Sequence, residues 1–192
     1  MTTAREAFLE TTARLLERQG YFATGLNQIV AESGAPKGSL YHYFPEGKEE
    51  LTAEVINRIG QVIAARIRLN LAQPANPAEA IPQFIRTIAR YVGESDFQGG
   101  GPIATVALET SASSERLRLA CNAAYQSWQE AVGAKLIASG FDTARATRLA
   151  TMVIALIEGA TILARAAHST APLEQVADEV QLLLEMQNKY YL

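Results

Sequence analysis

An all-α fold is what this sequence predicts, and three observations carry the expectation. Apolar residues recur at i, i+3 and i+4, as in Leu26, Ile29 and Val30, the spacing of one helical face. No alternating apolar-polar stretch of useful length offers a strand, and no internal repeat or low-complexity region is visible. Glycine and proline cut the chain into helix-length pieces at Gly20, Gly34, Pro36, Pro45, 73–77, 98–102, Gly140 and 169–172.

The first helix runs from about residue 3 to 19, with Phe8, Leu9, Thr12 and Leu16 on its inner stripe and Gly20 as its stop. Tyr21 and Phe22 then plug the bottom of a small N-terminal core. Thr24 reads as the N-cap of the second helix, with Asn27 or Gln28 reaching out from its first turn. Gly34 ends that helix, because glycine reaches φ > 0 without a Cβ clash. Pro36 takes the first position of the third helix, where its missing N–H costs nothing. The third helix stops at Phe44, since Pro45 turns the residue before it away from the α region. Two short helices held apart by a tight turn make a helix-turn-helix.

A wheel at about 100° per residue sorts the third helix into two faces. Leu40, Tyr43 and Phe44 fall together and pack down on the second helix. Gly38 and His42 lie opposite, flanked by Lys37 and Tyr41 on one side and Ser39 on the other. That outward set suits a nucleic-acid groove. Lys37 brings charge, and Ser39, Tyr41 and His42 hydrogen-bond phosphate oxygens or base edges. Gly38 lets the helix axis come close to a duplex, at a cost in helix stability of roughly 0.5–1 kcal/mol. A fourth helix begins near 47 and runs to about 71, with Leu51, Val55, Ile59, Val62 and Ile63 apolar. Lys48, at its start, is placed for a phosphate beside backbone N–H groups that point the same way.

The segment TGLNQIVAESGAPKGSLYHYFPEGKEEL resembles the DNA-binding signature of the TetR (tetracycline-repressor) family of bacterial transcription regulators. Its spelling GSLYHYFPEGKEEL resembles an LmrA-like branch of that family. The likeness is strong over residues 4–56 and rests elsewhere on length and helical character. The turn glycine, the Tyr-x-Tyr-Phe run and the following lysine stand at the expected spacing. Proline at 36 replaces the family's more usual capping serine, and the connection 45–48 is one residue longer than the common form. Both departures recur in the branch. The resemblance implies operator DNA as partner, contacted through Thr24, Gln28, Lys37, Gly38, Ser39, Tyr41, His42 and Lys48. Residues 1–56 are then the helix-turn-helix domain, with the fourth helix linking to about 72. Residues 73–192 form a larger α-helical ligand-binding and dimerisation domain.

Composition bounds these expectations. A chain of 192 residues buries a sizeable core in one domain or two small ones. One cysteine, Cys121, rules out an intrachain disulfide framework and fits a reducing cytosol. The N-terminus MTTAREAFLE carries charges where a signal peptide needs an apolar core, so a cytoplasmic protein is expected. Net charge is −3, and residues 1–55 alone hold five Lys/Arg against eight Glu. Positive potential therefore has to come from local placement of Lys37, Lys48, Arg5 and Arg14, and the motif carries the DNA assignment.

Further helices read from about 77 to 94, 103 to 111, 114 to 139, 143 to 167 and 173 to 189. The glycine run 99–101 lacks the lysine and Ser/Thr of a phosphate-binding loop. Between Leu149 and Ala164 the chain is apolar almost all round. At about 1.5 Å per residue that run spans roughly 24 Å, short of a ~30 Å hydrocarbon core, and Glu158 interrupts it. A doubly buried helix is the better reading. Paired with the amphipathic last helix, it builds an intermolecular four-helix bundle through Ala155, Gly159, Ala160, Ala164, Val176, Val180, Leu183 and Leu184. The family resemblance implies the same homodimer, with two recognition helices about 34–36 Å apart. Within the helix, Glu158 and Arg165 form a bonded pair, or Glu158 edges a ligand pocket.

Phe84, Ile88, Tyr91, Phe97, Leu108, Tyr125, Trp128 and Met152 are the candidate walls of such a pocket. The resemblance implies a small apolar or amphipathic effector that releases the protein from DNA. No carboxylate pair, Ser/His/Asp set or metal-ligand cluster stands at mechanistic spacing, so neither an enzyme nor a cofactor is expected. Cys121 reads as a buried small apolar residue and His168 as a helix-terminal one. A DNA-binding structural protein without ligand control is the leading alternative, and a small α-helical enzyme trails it.

Overall fold

The computed structural model describes residues 3–190. Among them nine α-helices follow in order: α1 Ala4–Ala23, α2 Leu26–Ser33, α3 Lys37–Tyr43, α4 Lys48–Leu71, α5 Pro77–Glu94, α6 Pro102–Thr110, α7 Glu115–Ala138, α8 Thr143–Ala167 and α9 Ala171–Tyr190. No strand occurs among the described residues, so the all-α expectation holds.

One compact unit takes residues up to 61 together with 101–124. Its core is built by Phe8, Leu15, Leu16, Ile29, Leu40, Phe44, Leu51 and Val55, all buried. Residues 101–124, read from sequence as part of the second domain, belong to this unit. α6 packs along α1, and Gly60 of α4 meets Ala124 so closely that a Cβ there would stand 2.7 Å from that of Ala124. Ion pairs staple the outer surface, Arg5 to Glu54, Arg58 to Glu6, and Arg14 to Glu32 at 2.9 Å.

The other compact unit takes 62–100 and the chain from 125 onward. α9 lies against both α5 and α8. Ile81, Ile85, Val92, Val132, Leu136, Leu149, Val153, Leu173, Val180 and Leu184 fill its core. Asn76 caps α5, its Oδ1 accepting from the Ala78 N–H at 3.0 Å. Asp142 caps α8 through the Arg145 N–H at 3.0 Å. His168 ends α8 in the left-handed region (φ 48), the helix-terminal place read for it. By length and composition α8 is apolar enough to cross a membrane, with 44% of its apolar window buried.

Three local expectations are corrected. Phe22 does not plug the core: it is 66% exposed, because Gly20 (φ 76, ψ −175) breaks α1 and turns the last residues outward. Gly25, not Thr24, is the N-cap of α2, and it offers no side-chain bond. Pro36 precedes α3 as its N-cap rather than opening it, again without a side-chain cap.

Candidate nucleic-acid interface

The turn of the helix-turn-helix is made by Gly34 in the left-handed region (φ 66), where a β-carbon would strain the backbone. Pro36 at φ −60, ψ 130 then sets the entry to α3. One orphan donor of the first turn, the Ser39 N–H, is satisfied by the Pro36 carbonyl at 2.9 Å, which also accepts from the Ser39 hydroxyl at 2.6 Å. Leu40 and Phe44 are fully buried and fasten α3 to the core. The Arg5 guanidinium lies 5.7 Å from the Phe44 ring centroid.

The opposite face is open. Lys37, Gly38, Tyr41 and His42 are exposed and Ser39 is half-exposed. A β-carbon at Gly38 would meet nothing within 4 Å, so that side of α3 is bare. Among the described residues no carboxylate pairs with Lys37 within 4 Å. Tyr43, expected to pack inward, is 37% exposed and meets the His42 ring edge-on at 5.1 Å. Phe44 is the C-cap of α3, at φ −135 and ψ 73, so it leaves the helical phase that the wheel assumes and takes the inner side with Leu40. Tyr43 is the one displaced.

Thr24 and Gln28 fare differently. Thr24 is fully buried, and its hydroxyl donates to the Gly20 carbonyl at 2.6 Å, so it presents nothing to DNA. Gln28 is half-buried and held at both ends of its amide: Gln19 Nε2 donates to it at 2.9 Å, and its own Nε2 donates to Glu32 at 2.9 Å. That donation, then the one from Arg14, keeps the Glu32 carboxyl below its ordinary pKa. Arg5 and Arg14, expected to supply positive potential, are tied to Glu54 and Glu32.

Lys48 is half-buried, with Nζ 3.9 Å from the Tyr21 ring centroid. Burial pulls its pKa down while the Glu109 carboxylate pushes it up. Tyr21 moves the other way, raised by burial and then by Glu49. Sequence reading missed Glu109, Ser114 and Arg116, which all reach residues of this region. Nothing in a one-dimensional pattern links positions 65 to 88 residues apart.

In the other unit, Tyr125 donates to Glu158, and Tyr125 meets Trp128 edge-on at 5.2 Å. Burial raises the Glu158 carboxyl to about 7, against the lowering effect of the Tyr125 bond. Arg165 does not pair with Glu158. Its Nη1 donates to the Gly100 carbonyl at 3.4 Å, where the chain passes so close to α8 that a β-carbon would stand 3.1 Å from Thr161. Phe84 and Trp128 are buried, while Ile88, Phe97 and Met152 are half-buried. Tyr91 is 48% exposed, and the Phe97 ring lies 5.2 Å from that of His168, tilted by 50°. Leu108 is corrected outright: it is 82% exposed and belongs to the N-terminal unit. Cys121 is buried, which pushes its thiol up to about 11.

The proposed dimer stripe also needs rephasing. Ala160 and Ala164 continue the inner stripe of Val153 and Ile157 at i, i+4, i+7 and i+11, and they are buried in their own unit. Val180 and Leu184 are likewise buried, and Val176 and Leu183 half-buried. The outward stripe of α8 holds Ala155 and Gly159, joined by Ile162 and Leu163. On α9 Leu182 and Met186 are exposed.

Two family models match the chain. Residues 8–55 match the one described as bacterial regulatory proteins, tetR family. Residues 77–179 match the C-terminal domain of LmrA/YxaF-like transcriptional regulators. The HTH-type transcriptional regulators YxaF and LmrA of Bacillus subtilis (strain 168) are 40% identical over 181 residues and 39% identical over 182. Those alignments cover 94% and 95% of this chain, and 95% and 97% of the relatives. A TetR regulator from Chloroflexus aurantiacus shares 29% identity with a TM-score of 0.78, covering 95% of this chain and 94% of its own. One from Legionella pneumophila superposes with a TM-score of 0.84 at 22% identity, over 95% of this chain and 98% of its own, a likeness of fold.

Fold and exposed α3 surface together define a helix-turn-helix regulator of transcription. The chain belongs to the TetR family, with an LmrA/YxaF-like C-terminal domain.

Proposed function

We propose that this regulator is a cytoplasmic, non-catalytic homodimeric repressor that leaves its operator when a small apolar or amphipathic molecule binds the C-terminal unit. The observation that carries the DNA half of the reading is the bare Lys37-Gly38-Tyr41-His42 surface of α3, backed by the fully buried Leu40 and Phe44. Phosphate contacts fall to Lys37, Ser39 and the N-terminus of α4 with Lys48, and base edges to Tyr41 and His42. Lys48 has to leave the Tyr21 ring to reach a phosphate with its own ammonium. The relatives named above are transcriptional regulators, which favours binding over catalysis.

Dimer formation uses the outward α8 stripe of Ala155, Gly159, Ile162 and Leu163 with Leu182 and Met186 of α9. Their exposure leaves apolar surface that a second copy covers. The effector site centres on Tyr125, Trp128 and Glu158, the aromatic and titratable groups that the fold joins. A ligand that binds the DNA-incompetent form better lowers operator affinity by that difference. Mobility-shift titration of a selected duplex with a panel of apolar and amphipathic compounds tests this. At least one compound is expected to release the DNA. Release by none, with the unliganded protein bound throughout, contradicts the ligand gate and favours a structural DNA binder.

A further inference from the structure

Within the N-terminal unit, the end of α6, the connection after it and the start of α7 send three polar side chains to the segments flanking α2 and α3. Glu109 of α6 accepts through Oε2 from the backbone N–H groups of Tyr21, at 2.6 Å, and Phe22, at 3.1 Å. Ser114 Oγ–H donates to Glu49, and Arg116 pairs with Glu46. Residues 21–22 stand just before the helix-turn-helix, and 46–49 stand just after it.

The contact of Glu109 is built on a specific local feature. Gly20 adopts φ 76 and ψ −175, which breaks α1 and starts a new turn at Tyr21. The leading N–H groups of a turn restarted in this way need acceptors from outside the helix, and a carboxylate makes the strongest kind of bond to them. Glycine also clears the approach, since a β-carbon at position 20 would lie 2.5 Å from Glu109 Oε1 and 2.9 Å from Thr105 Cγ2. On the other flank, the Lys48 ammonium rests over the Tyr21 ring at 3.9 Å and feels the Glu109 charge. One carboxylate thus ties the end of α1, and Ser114 and Arg116 tie the start of α4 through Glu49 and Glu46.

We propose that Glu109 is a positioning residue for DNA binding, fixing the anchor point just before α2 and so, with the flank after α3 held by Ser114 and Arg116, the direction in which α3 faces the duplex. The proposal rests on α3 being the DNA-reading helix. Glu109 touches no DNA itself. Its loss costs alignment, not contacts, so discrimination between sequences suffers while the number of phosphates engaged stays the same. A role confined to stability would lower the melting temperature and leave the affinity of the folded protein unchanged.

The test uses the full-length protein and a duplex that the wild-type protein has selected from a random-sequence pool, with a scrambled duplex for comparison. Affinities of wild type and Glu109→Gln are read by fluorescence anisotropy across salt concentrations, with circular dichroism and sedimentation confirming fold and assembly. Glu109→Gln is expected to bind the selected duplex about tenfold or more weakly, the scale of a lost charge-assisted hydrogen bond. Its salt slope is expected to match that of wild type, and its preference over the scrambled duplex to shrink. Should the glutamine variant fail to fold, Glu109→Asp keeps the charge on a shorter stem and is expected to lose affinity in the same sense. A folded variant with wild-type affinity and discrimination overturns the proposal alone. A wild type that selects no duplex overturns the DNA reading and this proposal together.

Discussion

α3 and α8 differ in how sequence specifies them. α3 has seven residues bounded by Gly34, Pro36 and Pro45, and its polar side is exposed with Leu40 buried beneath. α8 has twenty-five residues, apolar on nearly every side. In α3 each position carries its own signal, so a wheel separates the faces. In α8 the apolar residues outnumber what one face holds, and phase cannot be read from hydropathy. Hydropathy therefore places Ala160 and Ala164 on the dimer stripe, whereas the structure turns them inward with Val153 and Ile157. A short punctuated helix declares its orientation, and a long uniform one receives it from its neighbours.

The largest expected effect breaks the α8 side of that comparison. Gly159 is exposed, and a β-carbon there meets nothing within 4 Å, so Gly159→Glu should leave the protomer folded. At a twofold interface it buries an uncompensated charge, expected to weaken the dimer by about 3–5 kcal/mol. Sedimentation velocity should show monomers, and an intact dimer would move the interface off this stripe. On the α3 side, Leu40→Ala removes a fully buried anchor. Denaturant unfolding should register a loss of about 2–5 kcal/mol, whereas a loss below 1 kcal/mol would mean α3 is held by something else.

Glu158 sharpens the comparison through pH. Its carboxyl rises from 4.5 to about 7 on folding, so between those values the native state holds a proton that the unfolded chain has released. Stability should therefore fall as pH rises through that window and level off above it, by up to about 3 kcal/mol. Glu158→Gln should flatten this decline and be the more stable protein at pH 8. An unchanged pH profile would show that Glu158 titrates normally. The smallest effect concerns Lys48. Lys48→Ala should weaken binding to all duplexes and lower the salt slope by about one. A change of base preference with an unchanged slope would leave the ammonium on Tyr21.

Legibility followed the same line. The helix order and most boundaries were written in glycine, proline and apolar spacing, and α8 begins and ends at the positions read from sequence. The exposed set Lys37, Gly38, Tyr41 and His42 was legible because α3 is amphipathic and short. A threonine before a helix has the look of an N-cap, whereas the Thr24 hydroxyl closes back on the Gly20 carbonyl at 2.6 Å. Aromatic character points to burial for Tyr43 and Phe22, and the fold leaves both exposed. The tie of Glu109 to Tyr21 was invisible, since its two ends meet only in the folded unit.

Footprinting of the wild-type protein on a duplex it has selected from genomic fragments tests the central claim most directly. Two protected major-groove patches about 34–36 Å apart on one face of the DNA, both lost when Tyr41 and His42 are replaced by alanine, are the predicted result. A protein that protects no duplex at low salt, or one whose double variant leaves an unchanged footprint, would contradict it.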